Sequence, residues 1–307
     1  MSAAVDSVTS RAATGATAAT AADAAATPNS ASLASDGPDR YAVFGNPIAH
    51  SRSPAIHARF AELTGQRLTY ERLLAPVDGF AAALHDFVGA GGRGANVTLP
   101  FKLDACAAAT RLTARAEAAG AVNTLTFDNG EIVGDNTDGI GLVTDLLVNA
   151  GLTLRGKRIL LLGAGGAAQG VILPLLQAAP AELVIANRSP AKAVALATRF
   201  ASNGPIRACA FDSIDGDRFD LVINATAASI AGEVPTVDPA LFDRDSFAYD
   251  MMYAAAPTVF MQFAALHGAT VRDGLGMLVE QAAEAFAVWR GVRPPTAAVL
   301  AELRAAL

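Results

Sequence analysis

The residue types best able to do chemistry fall in a few short segments. In Gly163-Ala164-Gly165-Gly166-Ala167-Ala168, the residues Gly163, Gly165 and Ala168 satisfy the spacing G-x-G-x-x-G/A, directly after an apolar run and at the start of a helical pattern. In that setting the first glycine permits a tight turn, and the second lets backbone N–H groups approach a pyrophosphate. The small third residue lets helix and strand pack closely. About twenty residues further on, NAD sites usually place a carboxylate that accepts hydrogen bonds from the ribose. Here the chain reads Asn187-Arg188-Ser189, with Lys192 one turn later. A carboxylate would repel a 2′-phosphate, whereas Arg188 can bind one with paired charge-assisted hydrogen bonds and stack on the adenine, so NADP is the expected cofactor.

A second set of polar residues stands where strands should end and helices begin. In Gly45-Asn-Pro-Ile-Ala-His-Ser-Arg-Ser-Pro54, Ser53 ahead of Pro54 reads as a helix N-cap, while Ser51 has no such structural role. Two hydroxyls two residues apart can also bind a carboxylate without a cation. Lys102 emerges in the first turn of a helix, where the helix end is already positive, so an anionic partner or a part in proton transfer would explain it. A solvated surface lysine is the plain alternative. Asp138 ahead of Gly139 could cap the next helix, and Asn123 could satisfy a hairpin backbone.

The elements that must carry these residues follow from hydrophobic periodicity. The chain has 307 residues, of which 52% are hydrophobic and 17% charged, which suits two α/β domains rather than one core. Its balance of 23 Lys and Arg against 29 Asp and Glu, a net charge of −6, provides no global positive field for nucleic acid or an anionic membrane. Cys106 and Cys209 stand far apart, with neither a disulfide framework nor metal-ligand spacing, which suits a reducing cytoplasm and no metal. No apolar run approaches the roughly 18–20 residues of a membrane span.

Residues 1–39 are almost all Ala, Thr, Ser, Gly and Asp and are expected to be a disordered tail. Residues 40–138 alternate strands (41–44, 68–73, 95–98) with helices (54–63, near 80–88, from about 101), then form a hairpin of 122–127 and 131–133 through Asn129-Gly130. A helix is expected over 139–149. Strands at 157–162, 182–186, 220–224, 247–252 and 269–272 then give residues 139–273 a doubly wound, Rossmann-like plan. The helical pattern at 275–289 opens a C-terminal segment, 274–307, expected to return to the first domain, with Met277 and Trp289 in the core.

Seven segments in order carry a resemblance to the shikimate dehydrogenases over nearly all of residues 41–291. They are the Gly45 to Pro54 segment, Asn96-Val-Thr-Leu-Pro-Phe-Lys102, Ala121-Val-Asn-Thr124, Asp135-Asn-Thr-Asp-Gly139, the glycine turn, Asn187-Arg-Ser189 and Asp273-Gly-Leu-Gly-Met-Leu-Val-Glu-Gln281. The resemblance implies an α/β substrate domain followed by an NADP-binding domain, and reversible NADPH-dependent reduction of 3-dehydroshikimate to shikimate in aromatic amino-acid biosynthesis. It implies Lys102 and Asp138 at the reacting oxygen, Ser51 and Ser53 on the substrate carboxylate with Tyr253 nearby, and Thr98, Asn123 and Gln281 on its hydroxyls or orienting the catalytic pair. For the cofactor it implies Gly163, Ala164, Gly165, Gly166 and Ala167 on the pyrophosphate. Asn187, Arg188, Ser189 and Lys192 would hold the adenosine phosphate, with Thr226, Met251 and Gly274 along the rest.

Two stretches depart from the family pattern, Ala227-Ala228 before Ser229 and Ala254-Ala-Ala256 after Tyr253. The alternatives are a quinate or dual quinate/shikimate dehydrogenase and, more remotely, a non-catalytic NADP-binding regulator. A monomer or homodimer is expected. Arg188→Ala should collapse the ratio of NADP to NAD affinity, measured by titrating both cofactors; an unchanged ratio would remove Arg188 from the phosphate site.

Overall fold

The computed structural model describes residues 37–214 and 218–307, so the expected tail lies outside the described residues except for its last positions. Asp39, assigned to that tail, instead opens the first strand, where its carboxylate is ion-paired with Arg290. The first half runs β1 (Asp39–Gly45), α1 (Ser53–Thr64), β2 (Leu68–Leu74), α2 (Phe80–Gly89), β3 (Gly92–Val97), α3 (Lys102–Ala108), β4 (Arg111–Leu112), α4 (Ala114–Ala119), β5 (Thr124–Asp128) and β6 (Glu131–Asp135). The sheet order is β2-β1-β3-β5-β6-β4. β1 pairs in parallel with both β2 and β3, and the antiparallel β5–β6 hairpin adds to β3. Asn129 and Gly130 both have positive φ, 49° and 84°, the twist that a two-residue hairpin loop needs. Phe44, Phe80, Phe87, Phe101 and Leu125 fill the core against α2 and α3.

The second half runs β7 (Arg158–Leu162), α6 (Gly166–Gln177), β8 (Glu182–Ala186), α7 (Pro190–Phe200), β9 (Ile206–Cys209), β10 (Leu221–Asn224), β11 (Phe247–Asp250), α8 (Val259–Leu266) and β12 (Thr270–Asp273). All six strands are parallel, in the order β12-β11-β10-β7-β8-β9. β7 is covered on both faces, with Ile159 and Leu161 in one core and Leu160 and Leu162 in the other, which explains its unbroken apolar sequence. β9 was not legible beforehand: its four residues are only half-buried at the sheet edge. The strand order reverses between β7 and β10, so the crevice at their carboxyl ends is where such a sheet takes a ligand.

Two helices join the halves. The stretch expected as one helix over 139–149 is α5 (Asp138–Thr144) followed by a π-helical turn, Asp145–Asn149. Asp145 is fully buried, and that turn places its carboxylate against the Arg272 guanidinium (2.7 and 2.9 Å) and the Tyr249 hydroxyl (2.8 Å). As expected, α9 (Leu275–Arg290) returns to the first half, packing Val279, Ala282, Ala283 and Phe286 on Ile56, Phe60 and Ala61 of α1. Met277 joins the second-half core. Trp289 is half-buried, stacked on Tyr41 at 4.6 Å and donating to the Leu125 carbonyl at 3.0 Å. α10 (Ala297–Ala305) closes the chain. Among the described residues, no helix is long and apolar enough to cross a membrane.

α5 lies so close to α9 that a Cβ on Gly141 would stand 2.7 Å from the Gln281 nitrogen and 2.8 Å from the Met277 carbonyl oxygen, both backbone atoms. Gly141→Ala should therefore lower the unfolding free energy by about 1–3 kcal/mol despite the better helix propensity of alanine. Urea unfolding of the full chain measures this. An unchanged midpoint would mean that the two helices can separate at no cost.

Candidate active site

The carboxyl ends of β1, β3 and β6 and the start of β5 bring the polar residues of the first half to one edge of its sheet. Lys102 is the first residue of α3. The plain alternative for it, a solvated lysine, does not hold: its ammonium donates to Asp138 Oδ2 at 2.5 Å, and the two side chains are 20% and 9% exposed. That carboxylate is the anionic partner a cation at a helix start requires.

Asp138 does not cap its own helix; Thr137 occupies the N-cap position, with no side-chain bond. Asp138 Oδ1 instead accepts from Asn123 Nδ2 at 2.8 Å. Nor does Asn123 serve the hairpin. Its Oδ1 accepts the Thr137 N–H at 2.9 Å and the Thr124 hydroxyl at 2.8 Å, and its Nδ2 lies 3.4 Å from Gln281 Oε1 of α9. Lys102, Asp138, Asn123 and Gln281 thus form one bonded cluster. It abuts the glycine-turn helix, because a Cβ on Gly170 of α6 would stand 3.4 Å from the Asp138 Cβ.

The serine segment differs from its expected local form. Arg52 takes the N-cap position of α1 with no side-chain cap bond, and Ser53 and Pro54 are its first two residues. Ser51 does have a structural task, its Oγ accepting the Ser53 N–H at 3.3 Å. Ser53 is buried beside Tyr70. Thr98 follows β3, donates its N–H to the Phe44 carbonyl at 2.9 Å and packs its methyl over Gly45. Burial pushes the Tyr253 phenol up while the Arg52 guanidinium pulls it back, so this second-half side chain lies beside the serine segment. Among the described residues, no side-chain hydrogen bond joins Ser51, Thr98 or Tyr253 directly to the Lys102–Asp138 pair.

What sequence reasoning missed is the buried support. Tyr70 donates to Asn96 Oδ1 (2.7 Å), Asn96 Nδ2 to Thr124 Oγ1 (3.1 Å), and Thr124 to Asn123 Oδ1 (2.8 Å), making a continuous run of donors that ends at Asp138. Asn96 stood inside a motif already singled out, whereas nothing distinguished Tyr70 in a half-exposed strand. His57 stacks on Tyr70 at 4.2 Å with an interplanar angle of 4°, and neither ring nitrogen is hydrogen-bonded.

In the second half the expected cofactor residues gather at the carboxyl ends of five strands. Gly163 has φ +110°, open to glycine but strained for other residues, and its Cα faces Ala225 and Thr226 after β10. A Cβ on Gly165 or Gly166, at the start of α6, would meet no protein atom within 4 Å, and both residues are exposed with Ala167. Ala164 and Ala168 are buried beneath them. This open cradle of backbone N–H groups at a helix N-terminus fits a pyrophosphate.

Arg188, Ser189 and Lys192 are exposed beyond β8, and Asn187 Nδ2 donates to the Ser189 carbonyl at 3.0 Å. Thr226 bonds back to Asn224 Oδ1 at 2.7 Å, and Gly274 packs on the Met251 backbone, donating its N–H to the Met252 carbonyl at 2.9 Å. At the departure after Thr226, Ser229 donates to Asp250 Oδ2 at 2.6 Å, which ties that loop to β11 without the residues the family pattern has there. The donor set therefore suits NADP.

A parallel doubly wound sheet with such a turn, set against a lysine–carboxylate cluster on a second α/β layer, defines an NADP-dependent oxidoreductase with a separate substrate domain. Comparison with known proteins narrows the class. Residues 43–125 match the family model of the shikimate dehydrogenase substrate binding domain, 146–232 that of shikimate / quinate 5-dehydrogenase, and 274–304 that of the shikimate 5'-dehydrogenase C-terminal domain. The shikimate dehydrogenase (NADP(+)) of Janthinobacterium sp. (strain Marseille) is 66% identical over 266 residues, covering 87% of this chain and 97% of that one.

Among solved structures, an Ael1 enzyme from Pseudomonas putida has a TM-score of 0.83 at 47% identity, over 86% of this chain and 98% of its own. The shikimate 5-dehydrogenase of Thermus thermophilus, solved with NADP(H) and shikimate, has a TM-score of 0.78 at 35% identity, over 88% and 100%. The chain belongs to the shikimate dehydrogenase family.

His57 supplies a pH dependence. Burial lowers its pKa from 6.5 to about 3, against a weaker opposing pull from Asn96, so the folded chain keeps it neutral where the unfolded chain protonates. Its contribution to stability is complete above pH 6.5 and is lost as pH falls toward 3. Going from pH 7 to pH 5 should cost about 2 kcal/mol through this group, and His57→Phe should remove that part of the loss. Denaturant titrations of both proteins at the two pH values measure it, and equal pH dependence would refute it.

Proposed function

We propose that this chain catalyses the reversible NADPH-dependent reduction of 3-dehydroshikimate to shikimate, with Lys102 and Asp138 as its catalytic pair. The reading rests above all on the 2.5 Å Lys102–Asp138 contact, buried among Asn123, Gln281 and the glycine-turn helix. When bound, NADPH supplies the hydride for the ketone carbon. Residues 163–167 hold its pyrophosphate. Asn187, Arg188, Ser189 and Lys192 hold the adenosine phosphate, and Thr226, Met251 and Gly274 line the remainder.

The rest of the work falls to the first half. Ser51 and Ser53 bind the substrate carboxylate; Ser51 Oγ accepts a backbone N–H, which leaves its own hydroxyl hydrogen for the ligand. Tyr253 closes over them from the second half. Thr98, Asn123 and Gln281 take the ring hydroxyls. The Lys102 ammonium donates its proton to the oxygen as charge develops there in the reductive direction, and takes it back in the oxidative one. Asp138 fixes that ammonium, its other oxygen being held by Asn123. Because substrate and cofactor groups sit on separate layers, positioning the two reactants face to face is the larger part of what the fold does. The same reading assigns residues 40–138 to the substrate and 139–273 to the cofactor, with 274–307 bridging them, in a cytoplasmic monomer or homodimer.

Lys102→Ala should lower turnover of shikimate with NADP by about 10²–10⁴-fold while leaving NADP affinity unchanged. Steady-state rates and a fluorescence titration of the cofactor test both halves of this. Near-normal turnover would remove Lys102 from the reaction, and faster turnover of quinate than of shikimate would change the substrate.

A further inference from the structure

A groove of about 530 Å³ runs along the free edge of β12, lined by Met261 of α8, Val271, Arg272 and Asp273 of β12, Asn149, and Ala297, Leu300, Ala301 and Arg304 of α10. The four α10 residues recur at helical spacing, so one face of that helix forms a wall. The volume is that of a small-molecule site. None of these residues belongs to the substrate or cofactor groups described above.

The polar groups of the groove are layered by burial. Arg272 is paired with Asp145 and Arg304 with Asp273; the arginine side chains are 26% and 49% exposed, those of the aspartates 0% and 7%. Four charges that cancel in sum therefore present cations outward and keep the anions beneath. Each guanidinium carries five N–H groups and uses two of its nitrogens on its carboxylate, so donors remain on both. Met261, Val271, Leu300 and the two alanines supply an apolar wall beside them. We propose that this groove is a second ligand site, taking a small cyclic carboxylate whose anion spans Arg272 and Arg304 and whose ring lies on the apolar wall.

Occupancy has a route to the active site. Asp273, the partner of Arg304, also accepts the Leu275 N–H at 3.3 Å and directly precedes Gly274, which packs on Met251. Asp145, the partner of Arg272, lies against Gly276 in the first turn of α9. Both ion pairs thus fix the start of the helix that carries Gln281. A ligand carboxylate competes with Asp273 for Arg304, loosens that first turn and lowers turnover.

Benzoate is the probe and phenol its neutral control, titrated calorimetrically into the full chain with shikimate held saturating so that the Ser51–Ser53 position is filled. Benzoate should bind one to one, at least tenfold more tightly than phenol. Affinity should fall at least tenfold in Arg304→Gln and in Ala301→Trp, which fills the groove from an exposed helix position and removes no charged group. Benzoate affinity unchanged in both variants, equal affinity for phenol, or displacement of benzoate by shikimate would each overturn the proposal. The inhibition rests on the proposed dehydrogenase activity and should appear as a lower kcat that added shikimate does not restore, and that Ala301→Trp abolishes. The binding arms read the groove whether or not the chain turns over shikimate.

Discussion

Everything at the candidate active site is referenced to the seating of α5 between α6 and α9. That helix begins with Asp138, and its own residues are small where it meets its neighbours. A Cβ on Gly139 would stand 2.4 Å from the Gly170 carbonyl oxygen, and one on Gly141 would overlap the α9 backbone. Helices that approach this closely are held by backbone dimensions, so the carboxylate at the start of α5, the amide of Gln281 on α9 and the glycine turn that begins α6 share one rigid frame. Lys102 then reaches that frame from the other layer. The ion pair is the point at which α3 is joined to that frame.

Much of the fold was legible because its strands are short, apolar and punctuated by glycine. The 182–186 strand has the expected bounds, the Asn129-Gly130 turn has the expected positive φ pair, and the apolar face of α9 does return to α1. The failures have local causes. A π-helical turn has no signature in hydrophobic spacing, so the 139–149 helix read as continuous. β9 carries too little burial to show a pattern. Asp39 has the composition of the segment before it and is drawn into β1 by a guanidinium about 250 residues away in sequence.

At the site itself, motif residues were found and their supports were not. Lys102 was conspicuous as a cation at a positive helix end, and Arg188 as a cation where a carboxylate is usual. Asn123 and Asp138 each had an adequate local explanation, and the structure replaces both explanations with contacts 15 to 36 residues apart in sequence. Tyr70 and Asn96 act through hydrogen bonds and His57 through burial and stacking, properties that depend on which element lies beside which. Ser53, expected as the cap of α1, lies one residue inside it, and Ser51, expected to have no structural task, receives the Ser53 N–H.

The run from Tyr70 through Asn96, Thr124 and Asn123 to Asp138 has a direction. Each member donates toward the carboxylate and accepts from the side away from it, and an ionised carboxylate can only accept. Two backbone groups pin the same sense from outside the run: the Thr137 N–H donates to Asn123 Oδ1 at 2.9 Å, and Asn96 Nδ2 donates to the Asn123 carbonyl at 3.1 Å. Turning over either amide would set donor against donor or acceptor against acceptor at a backbone group that cannot turn with it. The phenolic hydrogen of Tyr70, out on β2, points as it does because the Asn96 amide it meets is held by the main chain of Asn123.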